Sequence, residues 1–256
     1  GLRDTGVAIG GKREVNTNDW ATVSISPELL DNTPFTLLPY SYYKLADPDK
    51  MTISNSYLAI ADVGIDFTDA FYNDAASYQQ HYAIPFRLKD HSLDEIGVTT
   101  DGEKKDYSIV AVKAISRYHG TYYVKGKKTK LDAGGNPSSD PDDITVYDNA
   151  DLSRNLTRDL SSLSRYEIRR PGFANNPVVA AESIVLTISS DGTSASIAVG
   201  GATPITNASA SLASTKEQPE LNLVYRVEAA GEKYEVRETL IRRQSPEKDL
   251  RFEEWQ

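Results

Sequence analysis

The chain contains no cysteine. That excludes structural disulfides, cysteine nucleophiles, thiolate zinc sites and iron–sulfur ligation. Histidine is scarce: His81, His91 and His119 are the full set, none lies in an H-E-x-x-H, and no two stand at a metal-ligand spacing. Each is expected to be an ordinary polar residue, with His119, between two strand-like segments, the least ordinary. A serine nucleophile needs an elbow such as G-x-S-x-G with a positioned base; "GTSAS" at 192–196 does not fit and sits in a hairpin signal. The glycine-rich stretches "GVAIGG" (6–11) and "VGGATP" (199–204) match neither a P-loop nor a dinucleotide fingerprint. No apolar run approaches the roughly 20 residues of a membrane span. No signal-type apolar region is present either; the chain opens on Gly1, read as a cleavage scar left by a removed leader. Positive charge is outnumbered, 28 Lys and Arg against 37 Asp and Glu, for a net charge of −9. Nucleic acid is therefore not an expected partner, because phosphate neutralisation needs a basic face. The one basic run, Lys125, Lys127, Lys128 and Lys130, reads as a solvated strand end and turn rather than an anion contact, since an acidic loop follows it.

What is present is strand. The 256 residues hold 15 Tyr against 6 Phe and 2 Trp, a choice that suits thin sheets, because tyrosine buries its ring and keeps its hydroxyl wet. "WATVSIS" (20–26) alternates as a half-buried strand should. "FTLLPYSYYKL" (35–45), "KMTI" (50–53), "SYLAIADVGIDF" (56–67), "QHYAIPFRL" (80–88) and "DYSIVAVKAI" (106–115) continue the series, with turn chemistry between them. One short helix fits 67–82. The pattern restarts with "RYHGTYYVKGK" (117–127), "DITVYD" (143–148), "RYEIRR" (165–170), "ESIVLTIS" (182–189), "SASIAVG" (194–200), "LNLVYRVEA" (221–229) and "EKYEVRETLIRR" (232–243). "SSDG" and "EAAGE" read as hairpin connections. "DLSRNLTRDLSSLSRY" (151–166) admits a helix with a leucine stripe or a strand pair; strand is favoured. "GGATPITNASASLASTKEQPE" (200–220) reads as a long polar loop.

The expected architecture is mainly β: a first domain over 1–115, an antiparallel sandwich, and a second over 116–256, an antiparallel meander or small up-and-down barrel.

Candidate chemistry is thin. Asp66, Asp69, Asp74, Asp94 and Glu95 could supply paired carboxylates for glycoside cleavage, but acidic residues are plentiful and solvated surface is the expectation. Asp132, Asn136, Asp140, Asp142 and Asp143 are hard oxygen donors without EF-hand spacing, so a solvated loop is expected and no metal site is assigned. The densest aromatic stretch is "LLPYSYYKL" (37–45). In a regular strand Tyr40 and Tyr42 would share one face and Tyr43 the other. Packing in a core or at a sheet edge is the first expectation for them, and stacking on a ligand the second. Phe71 and Tyr72 in "AFYND" (70–74) sit in an expected loop, where an exposed ring would be more telling.

"LLPYSYYKL", "GIDFTDAFYNDAASYQQHYAIPFRL", "RYHGTYYVKG" and "YEVRETLIRR…LRFEEW" together resemble two linked domains of unknown function found in outer-surface lipoproteins of Bacteroidetes. The resemblance implies an immunoglobulin-like first domain, of a kind also found ahead of some glycosidase domains, and a barrel-like second one. It implies an N-terminal lipid anchor at the outer membrane and a setting of polysaccharide uptake. The resulting expectation is a non-catalytic cell-surface protein, without cofactor, that binds a polysaccharide or oligosaccharide as an accessory. Tyr40, Tyr42, Tyr43, Phe71 and Tyr72 are its candidate contacts, through aromatic stacking and loop hydrogen bonds. Membrane contact is expected through the lipid anchor alone. The alternatives are docking to another surface protein, or a barrel that holds a small apolar ligand against Val185, Ile197 and Val224.

Overall fold

A computed structural model describes residues 36–45, 64–80, 82–87, 95, 97, 98, 107–178, 182–198, 205–213 and 219–244. The expected strands at 20–26 and 50–53 lie outside the described residues. The chain divides into two compact units between Ala114 and Ile115.

In the N-terminal unit, β1 (Thr36–Leu37) pairs with β4 (Tyr82–Arg87), which pairs with β5 (Tyr107–Val112); β2 (Tyr43–Leu45) pairs with β3 (Ile65–Phe67). β1 runs parallel to β4, Thr36 opposite Tyr82, which departs from the all-antiparallel expectation for this half. Two short helices replace the expected one: α1 (Asp69–Asn73) and α2 (Ala76–Gln79). Asp74 separates them with an extended backbone (φ −87°, ψ 120°), and its carboxylate accepts the Ala76 N–H at 2.9 Å, starting the second helix. The core is Leu38, Tyr43, Phe71, Tyr78, Tyr82, Ile84 and Ala114.

The second unit is a closed barrel. Eight strands, β6 (Gly120–Lys130), β8 (Leu156–Ser162), β9 (Glu167–Pro171), β10 (Ser183–Ile188), β11 (Ala195–Ile197), β12 (Ile205–Ala213), β13 (Glu220–Ala229) and β14 (Glu232–Arg242), pair antiparallel around the ring. β14 returns to β6 from Tyr234 opposite Lys130 to Arg242 opposite Tyr122, so no edge is left on the ring. β7 (Ile144–Tyr147) lies along the outer half of β6, beyond the point where β8 stops pairing. The Lys125–Lys130 run is thus strand throughout, all of it paired with β14 and Gly126–Thr129 also with β7, where a strand end and turn was expected. The stretch 156–162 is strand, as favoured above, and a single 3₁₀ turn at Leu152–Arg154 precedes it.

The segment 200–220, expected to be loop, contains β12. Ile205 and Leu212 point inward from it, and a register shift between Thr206 and Ser209, with Asn207 at φ 47°, bends it into the ring. Its Ser and Ala residues carry no apolar signal of their own; β13 beside it supplies the pairing. The β13–β14 turn has Ala230 and Gly231 both at positive φ (52° and 79°), the geometry that matches the twist of a two-residue hairpin.

Inward positions alternate as a pleated strand requires: Ile184, Leu186 and Ile188 on β10, and Leu221, Leu223, Tyr225 and Val227 on β13, are all buried. An eight-stranded barrel is just wide enough for such side chains to fill, and these contact one another as one cluster with Tyr118, Tyr122, Val124, Leu160, Ile168 and Phe173. Val185 and Val224, expected to line a cavity, stand on the opposite parity and are half-buried; Ile197 is inward but packed into the cluster.

Candidate binding site

Tyr40, Tyr42 and Tyr43 do not follow strand alternation. Pro39, at φ −56° and ψ 136°, ends the extended run, and Tyr40–Tyr42 form a 3₁₀ turn closed by the Tyr42 N–H donating to the Pro39 carbonyl at 2.9 Å. In that geometry residues i and i+3 eclipse, so Tyr40 falls beside Tyr43, ring centroids 6.1 Å apart, and not beside Tyr42. Tyr43 is buried, while Tyr40 is 42% exposed. Tyr42 turns the other way, edge-on to Phe71 (6.1 Å) and Tyr82 (6.3 Å), and its hydroxyl donates to Asp74 Oδ2. That bond, with burial behind it, pushes the Tyr42 hydroxyl up to about 12. It is also the main reason the Asp74 carboxyl sits below the usual carboxylate range, the Ala76 N–H adding to it.

The other two candidates separate in the same manner. α1 buries Phe71, which stacks on Phe67 at 4.5 Å, and leaves Tyr72 39% exposed, edge-on to Phe71 at 5.3 Å. The Tyr72 carbonyl accepts the Tyr78 hydroxyl at 3.0 Å, which holds the end of α1 against α2. Of the five candidate rings, then, Tyr40 and Tyr72 face solvent and rest on one buried cluster that contains Tyr43 and Phe71; Tyr42 is the half-buried strut between 3₁₀ turn and helix.

The remaining candidates disperse. His81, His91 and Asp94 lie outside the described residues. His119 Nδ1 is 3.2 Å from both the backbone N and the Oγ of Ser162, whose Oγ accepts the Ser116 N–H at 2.8 Å. Ser162 is therefore held by backbone on a buried strand end, not presented to a substrate. Asp132 accepts the Asn136 N–H at 2.8 Å, so its carboxylate closes its own loop. Among the described residues no cluster of His, Asp and Glu stands at metal-binding separation.

One polar group inside the barrel escaped the sequence reading. Arg170 and Glu238, both side chains fully buried, meet at 3.0 Å. Glu238 also accepts the Tyr225 hydroxyl at 3.0 Å and the Tyr147 hydroxyl at 3.2 Å. Gly126 makes room for this: it is register partner to Glu238 on one side and to Tyr147 on the other. A Cβ there would lie 2.7 Å from the Glu238 Cα.

The fold so described belongs to the two-unit β proteins that carry a closed up-and-down barrel. A family model described as a "-like, N-terminal domain" matches residues 3–95. A crystal structure of a Bacteroides ovatus protein of unknown function has the same fold: TM-score 0.61 at 16% identity, over 92% of this chain and 90% of that one. A second crystal structure of unknown function from Bacteroides ovatus aligns more loosely, at TM-score 0.38 and 13% identity over 84% of this chain and 71% of that one. No curated protein matches the chain.

Proposed function

We propose that this chain is a non-catalytic recognition protein of the bacterial cell surface that contributes accessory glycan binding. The observation that carries the reading is the pair of outward rings, Tyr40 and Tyr72, each braced from behind by a buried aromatic. A ring face covers the apolar C–H face of a sugar, and a ring already held by its neighbours loses little freedom on binding. Two such contacts give weak affinity per site. A lipid anchor, as the sequence resemblance implies, would make weak sites effective by placing many copies on one outer membrane. Affinity electrophoresis and titration calorimetry against plant, bacterial and host polysaccharides test this. Retardation by at least one of them, weakened in Tyr40→Ala and Tyr72→Ala, is expected. Silence of the folded wild-type protein across the panel would overturn the reading.

A second reading, docking to another surface protein, draws on β7. Its far edge pairs with no described strand, and Val146 on it is 66% exposed. Capture of a surface protein that survives Tyr40→Ala and Tyr72→Ala but fails in Val146→Lys, with no glycan bound, would favour it.

A further inference from the structure

Strand alternation sends three cations to one end of the barrel. On β6 the inward row Tyr122, Val124, Gly126 continues to Lys128; on β8 the row of Leu160 continues to Arg158; on β9 that of Ile168 continues to Arg170. Among the described residues one carboxylate, Glu238, forms an ion pair with any of the three, and it does so with Arg170 alone. The other two cations are met by neutral oxygens of the loop that follows β9. Lys128 Nζ donates to Asn176 Oδ1 at 2.9 Å, and Arg158 Nη2 to the Asn176 carbonyl at 2.7 Å. Arg158 Nη1 donates to the Thr157 carbonyl at 3.1 Å. Arg170 adds the Pro171 and Ala174 carbonyls, at 3.0 and 2.8 Å.

The arrangement leaves donors over. The Nε atoms of Arg158 and of fully buried Arg170 have no hydrogen-bond partner among the described residues. The loop itself is held in a costly conformation: Ala174, a non-glycine residue, takes φ 45°. Burial lowers the proton affinity of both Lys128 and Arg158, with Arg170 adding repulsion on Arg158. Excess positive charge with spare planar N–H groups is the chemistry that takes up an oxyanion.

We propose that the barrel end formed by Lys128, Arg158 and Arg170 binds a small oxyanion group, a carboxylate, sulfate or phosphate, which displaces Asn176 from the two half-exposed cations. The site is in the second unit and stands independently of the glycan reading for Tyr40 and Tyr72.

Calorimetry and side-chain NMR on the full chain test it, with sodium sulfate, inorganic phosphate and sodium glucuronate added at constant ionic strength against chloride. At least one anion is expected to bind with a dissociation constant of about 1 mM or tighter and to shift the Arg158 Nε–H resonance. The anion that responds identifies the group. Arg158→Gln and Lys128→Gln are expected to weaken it tenfold or more, while Lys130→Gln, whose ammonium pairs with Glu232 at 3.0 Å, leaves it unchanged. No anion-specific heat or shift in the wild-type protein would overturn the proposal, as would equal binding by all three variants.

Discussion

Glu238 offers the sharpest test of how the barrel is held. Its carboxylate accepts from Arg170, Tyr225 and Tyr147 inside a closed ring. Glu238→Leu removes the acceptor and leaves the Arg170 guanidinium buried beside the Pro171 and Ala174 carbonyls alone. Breaking a buried pair from one side costs about 3–5 kcal/mol, because the surviving charge is uncompensated. Those two carbonyls keep the cost within that range. For a unit of this size the loss corresponds to a Tm lower by about 10–15 °C. Removing both charges, as Arg170→Met with Glu238→Leu, takes away the stranded charge and leaves the Tyr225 and Tyr147 hydroxyls short of an acceptor, at about 1–3 kcal/mol. The double variant should therefore be more stable than Glu238→Leu by about 2 kcal/mol. Urea titration followed on the methyl resonances of Leu223 and Leu240, which report the barrel alone, measures all four proteins of the cycle. Additivity of the two single losses within about 0.5 kcal/mol would refute the reasoning, since it would mean that the two charges do not interact.

Gly126→Ala puts a Cβ 2.2 Å from the Arg237 carbonyl and 2.7 Å from the Glu238 Cα; because backbone must yield, a loss of about 3 kcal/mol is expected in the same urea assay, with weakened hydrogen-exchange protection along β6 and β14. Tyr42→Phe removes the main cause of the low Asp74 pKa, so carboxyl NMR should show Asp74 titrating higher, closer to its unfolded value. The sign follows: the Asp74 contribution is full above that unfolded value and is lost as pH falls through the lower folded one, so the wild-type protein should lose more stability on acidification than Tyr42→Phe. The Tyr42 hydroxyl, raised to about 12, runs the other way: its contribution is full below about 10 and is lost as pH climbs toward the folded value, which phenolate absorbance reads. Leu186→Ala, at a fully buried position of the barrel cluster, should cost about 2–5 kcal/mol; a Tm unchanged within a degree would contradict a packed interior.

The aromatic candidates show where reading from sequence stops. Pro39 marks a break in the strand, and Phe71 and Tyr72 as neighbours on a short element must part company. Yet which ring is wet depends on whether the turn after Pro39 repeats at two residues or three. The 3₁₀ turn sets Tyr40 beside Tyr43 and frees Tyr42 for Asp74, 32 positions on. Nothing local to "PYSYY" encodes that partner.

Period-two patterning in "SIVLTI" and "LNLVYRV" was enough by itself to determine a mainly β chain, its restart after residue 115 and an antiparallel meander, because alternation and turn residues act over a few positions. Cysteine-free composition equally excluded structural disulfides. Tertiary structure alone decided the rest. β12, poor in large apolar residues, is a strand because β13 offers it a ladder from Ile205 opposite Val227 to Ala213 opposite Glu220. Closure by β14 on β6 decides which parity of each strand is interior, and so hides Leu186 while turning Val185 outward. The same closure brings Arg170 and Glu238 together across 68 residues. The physical reason is that register around a closed ring is a property of every strand at once, whereas side-chain alternation is a property of each strand alone.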